Sequence, residues 1–353
     1  MTIEQIRATI QSPDYDFLRK EPRLGDNIMF LTVAGSHAYG TNVETSDLDI
    51  RGCAFNSRSD LIGLSNFEQF INNATDTTVY GFNKLVNLLL NCNPNTIELL
   101  GCKPDHYLMM NEAGKALIAN RKMFLSQRAA YSFGGYATQQ LKRLENALAR
   151  DKLPQGKAEQ HILHSAKNAV AAFEVKHVPL GEGGMKLYVD KSSRDDLDYE
   201  LFCDVNINKY PARDFQTMIN TLSAVIRDYE KTGHRNHKKD DAHLNKHAMH
   251  LVRLYLMCID ILENEEIKTY RSDAEREMLL NIRNGLYQNE DGTYQQEFFD
   301  RIEDLEVELD YAKKHTDLPP HPDMKRVEEF VMDINASSLN KGFTKEGVMY
   351  DLG

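Results

Sequence analysis

The sequence predicts an α+β protein, with a small sheet-containing domain over residues 1–115 and a mainly α-helical domain over 116–353. Three observations predict it. Ile28 to Val33 is a continuous apolar run of the length of one buried strand, and it stops at the small-residue turn Ala34-Gly35-Ser36. Further short strand patterns follow as far as about Leu100. From Lys115 onward, long stretches with apolar residues at helical spacing replace them, which sets the boundary there.

The elements follow in order. Met1 to Lys20 reads as an amphipathic helix on Ile3, Ile6 and Ile10, broken at Ser12-Pro13, with a short turn around Phe17-Leu18. After the first strand comes the turn, where Gly35 tolerates backbone angles that other residues avoid. A helical turn starting there would offer N–H groups to an anion. Then Ser46-Asp47-Leu48-Asp49-Ile50-Arg51 alternates polar and apolar residues. On a strand, positions i and i+2 share a face, so Asp47 and Asp49 would point one way and Leu48 and Ile50 the other. Two adjacent carboxylates repel unless a cation lies between them, and oxygen donors suit Mg2+ or Mn2+. Strand patterns recur at Phe70–Asn73 and Thr75–Tyr80, the latter containing Asp76, and a helix is expected over Tyr80–Leu90. Asn91 to Asn95 breaks that helix, and Ile97–Leu100 opens the next element.

At this point the residues carry a family resemblance. Gly35-Ser36, followed by Asp47-x-Asp49, resembles the signature of the DNA polymerase β-type nucleotidyltransferase superfamily. The fuller strings GSHAYGT and SDLDIRG, with Asp76-Thr-Thr-Val-Tyr80 and Asn93-Pro94-Asn95-x-x-Glu98, resemble its branch of predicted nucleotidyltransferases that includes RNA-ligase-associated and phage members. Lys246, His250 and Arg253 resemble, more remotely, a helix of the same branch that closes over the site. The resemblance implies a small mixed-sheet catalytic domain completed by the helical one. It implies Asp47, Asp49 and Asp76 as catalytic and metal-holding carboxylates, Asp76 acting as base on an acceptor hydroxyl, with Glu68 as the alternative third carboxylate. It further implies nucleotide contacts from Gly35, Ser36, Lys246, His250 and Arg253. Arg51 either contacts phosphate or serves as an ion-pair partner.

The helical half begins with Lys122–Arg150, one long or kinked helix. Gly134-Gly135 inside it costs roughly 1 kcal/mol per glycine against alanine, which suggests close packing or a kink. Ala158–Val175 is a further helix with His161, Ser165 and Asn168 on a shared face, most simply a polar surface stripe. Gly181 to Gly184 is a turn without the lysine and helix start of a phosphate loop. Lys186–Val189 reads as a short strand, and Ala212–Lys231, Phe298–Lys314 and Met324–Ile334 as helices. Between Gly233 and Leu262 stand His234, His237, His243, His247 and His250. The last three share a helical face and fit Zn2+ in principle, but the basic face Lys246, His250, Arg253, at i, i+4 and i+7, is the preferred reading. It suits phosphate.

Composition bounds the function. The net charge is −11, and the acidity is shared between the two halves, which argues against broad binding to duplex DNA. No apolar window reaches the eighteen or so residues of a membrane span, and the N-terminal stretch has no signal-peptide core. Five scattered cysteines read as free thiols of a reducing compartment, the cytoplasm. The expected activity is a metal-dependent transfer of a nucleoside monophosphate from an NTP to an acceptor hydroxyl, on an RNA end or a small molecule. A protein AMP- or UMP-transferase, a non-catalytic nucleotide-binding scaffold and, remotely, a zinc hydrolase are the alternatives.

Overall fold

Ile28–Val33 forms β1, and every residue of it is buried because both strand edges and both faces are covered. The computed structural model of the chain describes residues 1–152, 185–191, 193, 199–205, 211–233, 241–290 and 292–345. The expected helix Ala158–Val175 with His161, Ser165 and Asn168, the turn at Gly181, and His234 and His237 lie outside the described residues.

The chain is α+β: a mixed five-stranded sheet with helices, then a mainly helical C-terminal region. Its first unit comprises residues 1–137, 252–280 and 301–353. The entry to the sheet is α1 (Ile3–Thr9), capped by Thr2 and Gln5, then a one-turn helix at Pro13 and α2 (Phe17–Lys20). The sheet itself has the order β3-β4-β2-β1-β5, with β2 at Ile50–Ala54, β3 at Gln69–Asn72, β4 at Thr77–Gly81 and β5 at Tyr107–Met110. β1 pairs antiparallel with β2 and β5, β3 antiparallel with β4, and β2 runs parallel to β4 with Ile50 beside Thr77. That parallel pair makes the sheet mixed.

Helices clothe this sheet. α3 (Gly35–Tyr39) follows β1 directly, and α4 (Arg58–Ile62) follows β2 behind a Ser57 capping box. α5 (Phe82–Leu90) leaves β4 without a loop and buries Phe82, Leu85, Val86 and Leu89, the spacing its sequence sets. Pro94 then starts the short α6 (Pro94–Ile97) at its first position, where a missing N–H costs nothing. α7 (Glu112–Ala119) precedes α8 (Arg128–Lys152). Lys122 does not begin the long helix: a 3-10 turn over Arg121–Phe124 and an extended Leu125 separate it from α8. Among the described residues, none stands within 4 Å of where a side chain would be at Gly134 or Gly135.

The second unit, residues 138–251 and 281–300, holds a two-stranded sheet of β6 (Met185–Lys191) and β7 (Tyr199–Val205), with α9 (Ala212–Gly233). The helix α10 (Asp241–Asn264) starts in this unit and ends in the first. Within the second unit, Asn245 accepts a hydrogen bond from Tyr294 and donates one to Gln288, and Tyr294 packs on Phe298 at 4.7 Å. The chain continues with α11 (Asp273–Arg283), α12 (Gln296–His315) and α13 (Met324–Lys345). In the first unit α13 returns to the sheet helices: Phe330 packs edge-on against Phe82, and Asn335 donates to Asn83 at 3.0 Å. Among the described residues, no helix is long and apolar enough to cross a membrane.

Candidate active site

The parallel register of β2 and β4 brings two carboxylates side by side. Ile50 stands beside Thr77, so the residues one step earlier, Asp49 and Asp76, are neighbours, and the Ile50 N–H donates to the Asp76 carbonyl at 3.2 Å. On the other flank the Asp49 carbonyl accepts from Ala34 N–H at 2.9 Å, tying it to the end of β1. Asp76 has φ +41°, in the left-handed region that Asp tolerates better than most residues, and it leads directly into β4.

Arg51 joins the pair. It lies two residues after Asp49 in the extended chain and so faces the same side. Its Nη2 donates to Asp76 Oδ1 at 2.8 Å and stands 3.6 Å from Asp49 Oδ1, while Nη1 donates to the Asp76 carbonyl. The cation demanded by two adjacent carboxylates is here a guanidinium. Arg51 thus forms the ion pair that one of its two readings describes.

Gly35 closes the third side. Its φ is +54°, and a Cβ there would stand 2.9 Å from Asp49 Cγ and closer still to Oδ2. Only glycine lets the start of α3 approach this carboxylate without collision. Gly35 and Ser36, both half-buried, thus abut Asp49 through the first turn of α3, whose N–H groups lack partners inside the helix.

Asp47 differs from expectation. Residues 46–49 form no strand: a turn fixed by Val43 N–H on Ser46 Oγ at 2.8 Å precedes them, and β2 begins only at Ile50. Asp47 is exposed while Asp49 is half-buried. Among the described residues, no group of three or more His, Cys, Asp or Glu side chains is gathered closely enough to hold a metal, so the three aspartates do not form a preassembled cage and neither do His243, His247 and His250. Glu68 is at the wrong end of the strand pair. Its carbonyl accepts from Gly81 N–H, at the far end of β4, and its carboxylate pairs with Lys84 at 3.1 Å. Four to five residues of strand, roughly 15 Å, separate it from Asp76.

A buried cluster supports α3 from behind. Tyr39 donates to Glu98 Oε2 at 2.7 Å, and Arg253 lies with its guanidinium 3.9 Å above the Tyr39 ring and 3.9 Å from the same carboxylate oxygen. Burial, reinforced by Glu98, holds the Tyr39 phenol far above its ordinary range, so it is a fixed donor. Glu98 therefore links the Asn93-Pro94-Asn95 turn to the helix that follows Gly35. Arg253 is 8% exposed and committed to this link, whereas Lys246 is exposed and His250 half-buried on the part of α10 that belongs to the second unit. The one-face grouping of Lys246, His250 and Arg253 does not describe three equally available cations. Cys53, Cys92, Cys102 and Cys258 are free, and burial pushes each thiol up, Cys102 to about 12, which removes them as nucleophiles.

The site thus combines a mixed sheet, a glycine-serine helical turn after its first strand, and carboxylates just ahead of β2 and β4. Residues 10–176 match the family model RlaP, described as the RNA repair pathway DNA polymerase beta family, a match consistent with a member of the polymerase β-type nucleotidyltransferase superfamily. Neither a search of curated proteins nor a search of solved structures returned a match. The match suggests nucleotidyl transfer as the general class of activity.

Proposed function

We propose that the protein transfers a nucleoside monophosphate from an NTP to an acceptor hydroxyl, with RNA as the acceptor class and pyrophosphate as leaving group. The observation that carries this reading is the Asp49–Asp76 pair pressed against Gly35. It sets two carboxylates beside the helical turn that would receive the triphosphate. The RNA acceptor rests on the description of the matching family.

The donor set fits a hard divalent cation. Mg2+ needs only one or two protein carboxylates when substrate phosphates fill the other positions, and Asp49 and Asp76 already share one positive group, Arg51. Asp47, Asp49 and Asp76 would hold Mg2+ or Mn2+, which when bound neutralises the charge on the attacking and leaving oxygens. In this reading Gly35 and Ser36 donate backbone N–H groups and a hydroxyl to the triphosphate. Asp76 orients the acceptor hydroxyl and takes its proton, and Arg51 keeps Asp76 turned toward Asp49. The acceptor oxygen bonds to the α-phosphorus as the bond to the β-phosphate bridging oxygen breaks. Arg253 braces Tyr39 and Glu98, and residues 1–115 carry the chemistry.

The test is incubation with each α-32P-labelled NTP and Mg2+ or Mn2+, with and without bulk RNA, for wild type, Asp47→Ala and Asp49→Ala. Label should pass to RNA in the wild type and fall at least about a hundredfold in each variant, with unchanged circular dichroism. Full activity of Asp49→Ala would refute the mechanism. Label on protein would replace RNA by a protein hydroxyl, and neither transfer nor NTP binding would make the scaffold reading the better one.

A further inference from the structure

A cleft lies in the first unit, outside the carboxylate site. It has a volume of about 500 Å3 and is lined by Asn91, Gln127, Arg128, Tyr131, Ser132 and His321, with Pro320 at its rim. Its walls come from three separate segments, the end of α5, the start of α8 and the proline-rich connection after α12, and hydrogen bonds fix them to one another. Gln127 N–H donates to the Pro319 carbonyl at 2.9 Å and its side-chain amide to the Leu318 carbonyl at 2.9 Å. Arg128 Nη1 donates to Asn91 Oδ1 at 2.9 Å and to the Leu90 carbonyl at 3.3 Å. Ser132 Oγ donates to the Asn91 carbonyl at 2.6 Å. The cleft is built before anything enters it.

Two features of its chemistry bear on what could enter it. Arg128 forms no ion pair among the described residues, although the chain carries a net charge of −11 and offers carboxylates widely. Its guanidinium is held on one side by neutral acceptors, and its charge is left for an anion. Three residues on, and so on the same helix face, Tyr131 is 81% exposed, a large ring left in water at the first turn of α8. An uncompensated guanidinium, an exposed phenol ring and an exposed imidazole match one ligand unit: a phosphodiester with an unstacked base. A single arginine balances one phosphodiester charge and not the several charges of a free nucleoside triphosphate. A paired duplex would hide the base face that Tyr131 and His321 need.

The chain leaves the cleft at Asn91 and within a few residues reaches Glu98, the partner of Tyr39 on α3. We propose that this cleft docks a segment of single-stranded RNA, with Arg128 on a phosphodiester and Tyr131 stacked on a base, and so helps to hold the acceptor strand. Only the word acceptor rests on the nucleotidyl-transfer reading; the polynucleotide class follows from the cleft.

The test is fluorescence anisotropy of the full chain with a short 5′-fluorescein single-stranded RNA, without NTP or divalent metal. Tyr131→Ala should weaken binding at least about fivefold, Tyr131→Phe should stay near wild type, and Arg128→Gln should lower the slope of log Kd against log salt by about 0.7. Tyr131 is exposed, so its variants keep the fold, which circular dichroism checks. Wild-type affinity in Tyr131→Ala, equal affinity for duplex RNA, or displacement of the RNA by AMP at micromolar concentration would each overturn the proposal. If Tyr131-dependent binding holds while Asp47→Ala still transfers label, the transfer mechanism falls and the cleft stands; the reverse pair of results removes the cleft alone.

Discussion

Gly35→Ala tests the carboxylate site with one added methyl group. Gly35 sits at φ +54°, where an L side chain costs about 1–2 kcal/mol. For a chain of this size that corresponds to a fall in Tm of a few degrees. The steric term is local. The new Cβ would stand 2.9 Å from Asp49 Cγ and nearer to Oδ2, where ordinary contact begins at about 3.4 Å. Asp49 must therefore retreat by on the order of 1 Å, and misplacement of that size costs about a hundredfold in rate. The two effects separate in measurement. Thermal melting followed by circular dichroism should show a small, cooperative loss. Transfer of label from α-32P-NTP should fall about a hundredfold, mostly in kcat. Ser36→Ala, which adds no atoms, should lose a single hydroxyl contact and about tenfold in rate. If Gly35→Ala melted a few degrees early yet kept more than about a third of wild-type kcat, Asp49 would not be held at the reacting centre by this contact, and the argument would fail.

Arg51→Gln separates a counter-ion from a phosphate clamp. Arg51 stands 2.8 Å from Asp76 and 3.6 Å from Asp49, so removing its charge should let a divalent cation bind the pair more readily. The Mg2+ concentration for half-maximal transfer should drop several-fold with KM for NTP nearly unchanged; a KM raised about tenfold at constant Mg2+ demand would show phosphate contact instead. Asp60→Asn probes a pH-linked brace of α4. Burial works against the Asp60 charge, but hydrogen bonds from Ser57, Arg23 and Ser65 outweigh it and bring its pKa down to about 2. A depressed carboxylate stabilises the fold above its unfolded value near 3.8 and loses that contribution as pH falls through about 2. Urea midpoints should place the variant on the order of 1–2 kcal/mol below wild type at pH 7, with the gap closing below about pH 4. A gap that stays constant down to pH 3 would contradict the assignment.

What the sequence discloses and what it hides follow from the range of the interactions. β1 and α5 are legible because burial acts on every residue or on one helical face, and a local pattern carries that information. β5 is not, because Tyr107–Met110 is too short for its period to register and exists as a strand through pairing with β1, far away in the chain. The neighbours Asp49 and Asp76 come together through a parallel register that no local pattern encodes, and only the resemblance linked them. Arg51 was within reach of the same alternation that was applied to the aspartates, since Asp47, Asp49 and Arg51 all have one parity. The alternation itself stopped short at Asp47, because Ser46 caps the Val43 turn and delays β2 to Ile50. Arg253 shows the same limit from the other side. Helical spacing put it in line with Lys246 and His250 as a basic face, but the helix around it is buried on nearly every side, from Leu251 through Cys258. A buried arginine needs a carboxylate, and Glu98, which supplies it, lies in a turn far upstream. Periodicity ranks faces by their average polarity, whereas a charge is placed by its partner, so the residues most tied to function were the ones for which local pattern said least.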